Sequence, residues 1–130
     1  MALMSYRESN QVKWIGSRPA HNGTQVVRYA VAINGTVIAY TVPAGQVYYF
    51  CGWVLQAQSG AADAYAQIFW YDDVPAIFYP MVTIYLAADS TDQFTHQYWP
   101  PVEIPAGHSL RVFSSQPLAI ARATINGWVE

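Results

Sequence analysis

The side chains that most often carry chemistry in proteins are few in this chain and lie far apart in the sequence. The three histidines, His21, His96 and His108, form no His-x-His pair, and the single cysteine, Cys51, lies inside an apolar run. A catalytic metal needs three or four ligands that converge on one point, and a serine hydrolase of the common α/β type needs a Gly-x-Ser-x-Gly turn. Neither pattern occurs. We therefore expect no enzyme activity, no metal and no cofactor, and we expect Cys51 to be a small core residue.

Charge is distributed unevenly along the chain. Residues 1–28 sum to +3, residues 29–110 contain six acidic and no basic side chains, and residues 111–130 sum to +1. The acidic pairs Asp72 with Asp73 and Asp89 with Asp92 lack the ligand spacing of a calcium loop, so we interpret them as solvated turns. A basic leader before an acidic body is either a short solvated segment or an arm that docks on an acidic surface. Six cations in the whole chain predict no binding of nucleic acid.

Aromatic side chains are the second group that could recognise a ligand. The chain has five Trp and ten Tyr, and flat rings at strand ends can stack on sugar rings. Under that interpretation the ligand-facing aromatics are Trp70, Tyr71, Tyr98 and Trp99. The alternative is that these rings fill the core or an interface between subunits.

The elements that must position these side chains are β-strands. From residue 26 onward, β-branched and aromatic runs alternate with short stretches of turn residues, and no stretch shows the spacing of a long amphipathic helix. We predict an all-β antiparallel sandwich of about eight strands, with residues 1–25 as an extended N-terminal arm and 26–130 as the domain. The predicted strands are 26–33, 36–42, 46–58, 64–71, 76–87, 93–99, 109–115 and 118–129.

The turns between these strands have specific signatures. Asn34-Gly35 predicts a two-residue hairpin, and Asn126-Gly127 predicts a bend or bulge in the last strand. The stretches 42–45 and 104–107 share an apolar-Pro-Ala-Gly sequence that leads into a new strand. Two such corners in equivalent places indicate a sandwich with pseudo-equivalent halves, as in a jelly roll.

The composition adds an expectation about assembly. Hydrophobic residues make up 53% of the chain and charged residues 11%, against roughly 25% charged in an average domain. The runs 48–55 and 77–86 are apolar at successive positions, whereas a strand of a two-layer sandwich buries only one face. We therefore expect another protein surface to cover part of this domain.

With its length, its two Pro-Ala-Gly corners, its extended N-terminal segment and its few charges, the chain resembles the small jelly-roll virion proteins of tailed bacteriophages. These include capsid decoration (cement) proteins, head fibres and tail-tip domains. The resemblance implies a structural protein, often a trimer, whose arm binds the capsid or a neighbouring subunit. The arm residues to which this role would transfer are Arg7, Lys13, Trp14 and Arg18.

From these observations we expect a non-enzymatic capsid decoration protein that forms a homotrimer and binds the major capsid protein or another virion protein. We expect it in the virion, made in the host cytoplasm without a signal peptide and without a membrane segment. The alternative is a carbohydrate-binding or receptor-binding β-sandwich of a phage tail or fibre, which would bind a glycan.

Overall fold

In the part of the chain that the structure describes, eight strands form two sheets. A computed structural model describes residues 23–115, 117 and 119–130. The strands, numbered in chain order, are β1 (Thr24–Ile33), β2 (Gly35–Thr41), β3 (Tyr48–Gln58), β4 (Ala64–Asp72), β5 (Ile77–Leu86), β6 (Thr91–Ile104), β7 (Ser109–Ser114) and β8 (Ile120–Val129). In this described part of the chain, no helix is long and apolar enough to cross a membrane.

The strand order within the sheets is that of a jelly roll. One sheet, here the β1 sheet, has the order β1-β8-β3-β6, and the other, the β2 sheet, has the order β2-β7-β4-β5. Every pairing is antiparallel. Most successive strands lie in different sheets, so the chain wraps around the core as two interlocked Greek keys. The predicted all-β, jelly-roll-like sandwich of eight strands is confirmed.

Alternation along the strands builds the core. In β8, Ala121, Ala123 and Ile125 are buried, whereas the residues between them are only half-buried. Alanines of β1, β3 and β8 pair with each other across the sheet, as Ala32 and Ala57 do with Ala121. The largest fully buried side chains are Tyr48, Phe50, Leu55, Ile68, Ile104, Leu110 and Ile125.

The two Pro-Ala-Gly corners form equivalent turns and are bonded to each other. In 43–46 and in 105–108, the amide of the fourth residue donates to the carbonyl oxygen of the first over 3.2 Å. Gly45 and Gly107 have φ angles of 77° and 84°, which is the third position of a type II turn and favours glycine. The amide of Val42 donates to the last carbonyl of the second corner at 2.9 Å. The two corners therefore have the same turn geometry, as their shared sequence predicts.

Three local predictions were wrong. Asn34 and Gly35 have positive φ angles, yet the turn carries the chain from the β1 sheet to the β2 sheet, so it is a corner and not a hairpin. The bulge expected in β8 belongs to β3, where Cys51 is the extra residue opposite Asn126 and Gly127. For the same reason Cys51 is half-buried at this bulge, with its thiol 3.6 Å from the Tyr49 carbonyl oxygen, and not in the core.

The sixth strand is longer than predicted. The prediction ended it at residue 99, but the strand continues through Pro100 and Pro101 to Ile104. Pairing with β3 jumps from Gln97 to Val102, so the two prolines lie in an irregular stretch that requires no continuous ladder. Proline is compatible with this position because β6 is an edge strand.

Candidate interaction surface

The outer face of the β2 sheet is lined with aromatic side chains. In β4, Ala64, Ala66 and Ile68 point into the core, so the alternate positions point outward. Cross-strand pairing places outward residues of β5 and β7 beside them. The resulting set, called here the aromatic face, is Tyr65, Phe69, Tyr71, Phe78, Tyr85 and Phe113. Within it Phe69 is buried, and the other five rings are half-buried or exposed.

The rings of the aromatic face contact each other in two groups. Tyr65 lies between Tyr85 and Phe113, with centroid distances of 5.9 and 5.5 Å. Phe69 packs edge-on against Phe78 at 5.5 Å. A shallow open depression of about 210 Å³ lies between these groups, with Thr36 and Gln67 on its wall. These pairs order the rings into a fixed apolar platform, because tilted and edge-on arrangements are the favoured ones.

Polar groups border this platform on one side. The guanidinium carbon of Arg111 lies 4.0 Å from the centroid of the Tyr71 ring, within the range of a cation–π contact. Its Nε donates to Ser109 Oγ at 2.9 Å, and its terminal nitrogen lies 3.7 Å from an Asp73 carboxylate oxygen. These contacts hold Arg111 over the Tyr71 ring, so a charged side chain lies next to the apolar platform.

The outer face of the β1 sheet has a different character. Its central strands present four half-buried polar side chains outward: Gln56, Arg122, Thr124 and Asn126. Its edge strand β1 exposes the apolar side chains of Val27, Tyr29 and Ile33 beside them. Among the described residues, the two faces therefore differ: contacting aromatic rings line the β2 sheet, whereas a polar centre with an apolar edge lines the β1 sheet.

The free side of β6 is a second distinctive surface. Among the described residues β6 pairs only with β3, and residues 91–97 are exposed along their whole length. Phe94 is 47% exposed and Trp99 66% exposed. The acidic residues Asp92 and Glu103 are exposed on the same strand. An edge strand of this length presents backbone donors and acceptors to a partner.

A small hydrogen-bond network lies at one end of the β2 sheet. The indole Nε1 of Trp70 donates to His108 Nδ1 at 2.9 Å, and His108 Nε2 lies 3.6 Å from Asp72 Oδ1. The same carboxylate oxygen accepts the amide of Val74 at 3.0 Å. This network joins the second Pro-Ala-Gly corner to the end of β4. Among the described residues, no three His, Cys, Asp or Glu side chains are grouped so as to hold a metal.

The four aromatics predicted as ligand-facing do not form one site. Trp70 points inward against the core and Tyr71 outward under Arg111, because they are successive residues of one strand. Tyr98 is half-buried in the other sheet, where its hydroxyl accepts from Trp53 Nε1 at 3.0 Å. Trp99 lies exposed on the edge strand β6. Only Tyr71 belongs to the aromatic face.

The predicted arm residues Arg7, Lys13, Trp14 and Arg18 lie outside the described residues. Conversely, sequence reasoning missed most of the aromatic face. A signal was present in β4, where residues 65, 69 and 71 share one parity and residues 64, 66 and 68 are small or aliphatic. The partners of these residues on β5 and β7 carry no such signal, because they join the face only through strand pairing.

Comparisons with known proteins give similarities of architecture at low identity. No family model and no curated protein sequence matches the chain. Among solved structures, PirA matches with a TM-score of 0.41 and 10% identity, over 85% of this chain and 96% of that one. A pentameric capsid protein isolated from metagenomic phage sequences matches with a TM-score of 0.39 and 16% identity, over 80% of this chain and 60% of that one. The capsular polysaccharide assembling protein CapF from Staphylococcus aureus matches with a TM-score of 0.33 and 13% identity, over 84% of this chain and 24% of that one.

Proposed function

We propose that this chain is a non-enzymatic structural protein of a viral particle, whose copies associate with each other and coat and reinforce the capsid as a decoration protein. The observation that carries the proposal is the aromatic face. Monomeric soluble domains seldom expose a contiguous apolar surface of this kind, which usually marks a site of protein contact. A homotrimer that covers this face is the assembly we propose.

The mechanism of such a protein is adhesive. Covering aromatic rings removes apolar area from water, at about 25 cal/mol per Å² before the costs of association. Any protein that binds only the assembled capsid shifts the equilibrium towards assembly by mass action. Reinforcement of the particle therefore requires contacts and no chemical step.

The N-terminal arm is the second part of the proposal. Residues 1–22 contain Arg7, Lys13 and Arg18 against the single acid Glu8, whereas residues 29–110 contain no cation. A basic segment is attracted to acidic surfaces and is steered towards them at low ionic strength. We propose that these cations and Trp14 dock on the major capsid protein or on a neighbouring copy.

The first experiment is the solution mass by size-exclusion chromatography with light scattering. The proposal expects a species of three times 14.5 kDa, and a monomer at all concentrations would overturn the self-association. The second experiment is immunogold electron microscopy of virions whose genome encodes the chain. Label on the capsid supports decoration, and label confined to the tail or absent from the virion contradicts it.

A second candidate function is binding of a glycan by a tail or fibre module. One observation favours it: hydrogen-bonding groups stand beside the rings, with Gln67 Nε2 donating to Thr83 Oγ1 at 3.1 Å and Arg111 over Tyr71. Sugar rings bind to such mixtures of flat apolar and polar groups. A glycan array distinguishes the two functions, because specific binding that is lost in Tyr65→Ala favours the module.

A further inference from the structure

The exposed edge of β6 is a surface on which the N-terminal segment can dock. We infer that the basic N-terminal segment of one copy binds along the exposed edge of β6 in a second copy. This inference rests on the proposed self-association and adds the receptor surface to it. The observations that carry it are the position of the two edges, the charge of both partners and the length of the segment.

The start of the described chain and the proposed binding edge lie on opposite sides of the β1 sheet. The described chain begins at Gly23, directly before β1, and β1 and β6 are the opposite edges of one four-stranded sheet. Thr24 and Ile104 lie in the same cross-strand row, three strand spacings or about 14 Å apart. A segment that leaves at one edge and binds at the opposite edge of another copy forms a heterologous contact, and a rotation of 120° between copies closes such contacts into a ring of three. The inference is therefore compatible with the proposed trimer.

The charges of the two partners are complementary. Residues 1–22 carry three cations and one acid, and the stretch 77–104, which spans β5 and β6, has no cation and contains Asp89, Asp92 and Glu103. All three carboxylates are exposed. Charge complementarity of this kind guides docking and selects the partner more than it adds affinity.

The β6 edge also offers apolar contacts and backbone groups. Phe94 is exposed on this strand and gives an apolar partner for Trp14. Extended segments bind sheet edges by hydrogen bonds along the backbone, with alternate side chains supplying specificity. Twenty-two residues span up to about 75 Å when extended. The segment is long enough to follow residues 91–97 after it leaves its own subunit.

Photo-crosslinking of the full-length protein tests the inference. A benzoylphenylalanine replaces Trp14 and, as a matched control, Val74, which is exposed in a loop outside both the aromatic face and β6. After irradiation the expected product is a covalent dimer in which the probe at position 14 is attached to the peptide 91–104. The probe at position 74 should leave that peptide unlabelled. Attachment of the position-14 probe to its own chain, or to another surface of a second copy, would overturn the inference.

Isosteric neutralisation provides a second test that does not disturb the fold. The double variant Asp92→Asn with Glu103→Gln should raise the dissociation constant of self-association about threefold to tenfold at low salt, and this difference should disappear at high salt. Asp63→Asn, which removes an acid from another loop, should leave the constant unchanged. Equal effects of both substitutions would contradict a specific role of β6. If the light-scattering mass is oligomeric while both tests fail, the proposed function stands and this inference is wrong.

Discussion

Replacing Tyr85 with serine should weaken self-association without unfolding the domain. Tyr85 is 79% exposed on the aromatic face, and a tyrosine buries about 200 Å² when it is covered completely. Contact with another copy would therefore remove up to about 160 Å² from water, equivalent to about 4 kcal/mol at about 25 cal/mol per Å². Incomplete cover and the ordering of neighbouring side chains reduce this to about 2 kcal/mol, or about thirtyfold in the dissociation constant.

The assay for this prediction is sedimentation equilibrium over a dilution series, together with thermal unfolding followed by circular dichroism. Because the ring is exposed in the isolated domain, the free energy of unfolding of the monomer should change by no more than about 0.5 kcal/mol. The matched control is Val74→Ser. Val74 is 83% exposed but lies in the loop after β4, outside the aromatic face.

The result that would refute this reasoning is equal behaviour of the two variants. If Tyr85→Ser and Val74→Ser have the same dissociation constant for self-association, the aromatic face is not the self-association surface. If Tyr85→Ser unfolds the domain, the ring contributes to the fold through Tyr65, its neighbour at 5.9 Å. In that case the exposed ring of Tyr85 is explained by its role in the fold and does not indicate an interface.

Three further predictions concern the fold that presents this face. Gly127→Ala should lower the free energy of unfolding by about 1–3 kcal/mol, because the added Cβ would clash with the Tyr49 carbonyl oxygen and lie 2.9 Å from the Tyr48 ring. Gly45→Ala, where the new Cβ meets open space but φ is positive, should cost only about 1 kcal/mol in chemical denaturation. Tyr98→Phe should cost about 1 kcal/mol in the same assay, because the buried indole of Trp53 loses its acceptor. Burial raises the pKa of Tyr48 above its ordinary value near 10, so the folded state holds this proton at a pH where the unfolded state has lost it. The free energy of unfolding should therefore fall above about pH 10, by up to about 1.4 kcal/mol per pH unit, and Tyr48→Phe should remove this contribution from a stability profile against pH.

Much of the local structure is predictable from the sequence because its causes are local. The Pro-Ala-Gly corners follow from the φ preferences of proline and glycine, and both turns have the expected positive φ at the glycine. The strand at 64–71 follows from an aromatic-rich run between two stretches of turn residues, and the observed strand is Ala64–Asp72. Strand ends were less predictable where an edge position tolerates proline, as in β6.

The candidate site was less predictable because it is assembled from distant segments. Trp70 and Tyr71 are adjacent and similar in chemistry, yet one packs inward and the other contacts Arg111 on the outer face. Which parity faces outward depends on the sheet that covers the strand, and this sheet comes from residues far away in the sequence. Phe113 reaches the aromatic face only because β7 pairs with β4.

The sequence by itself determined the fold class, the approximate strands, the two corners and the shortage of charge. Strands and corners depend on the properties of a few successive residues, and the shortage of charge is a property of the composition. Only the tertiary structure decided which strands pair, that Asn34 and Gly35 turn between sheets, and that six aromatic rings share one outer face. The physical reason is that a tight turn has nearly the same backbone angles in a hairpin and in a corner. The choice between them is made by burial of apolar faces that are joined only through the completed sandwich.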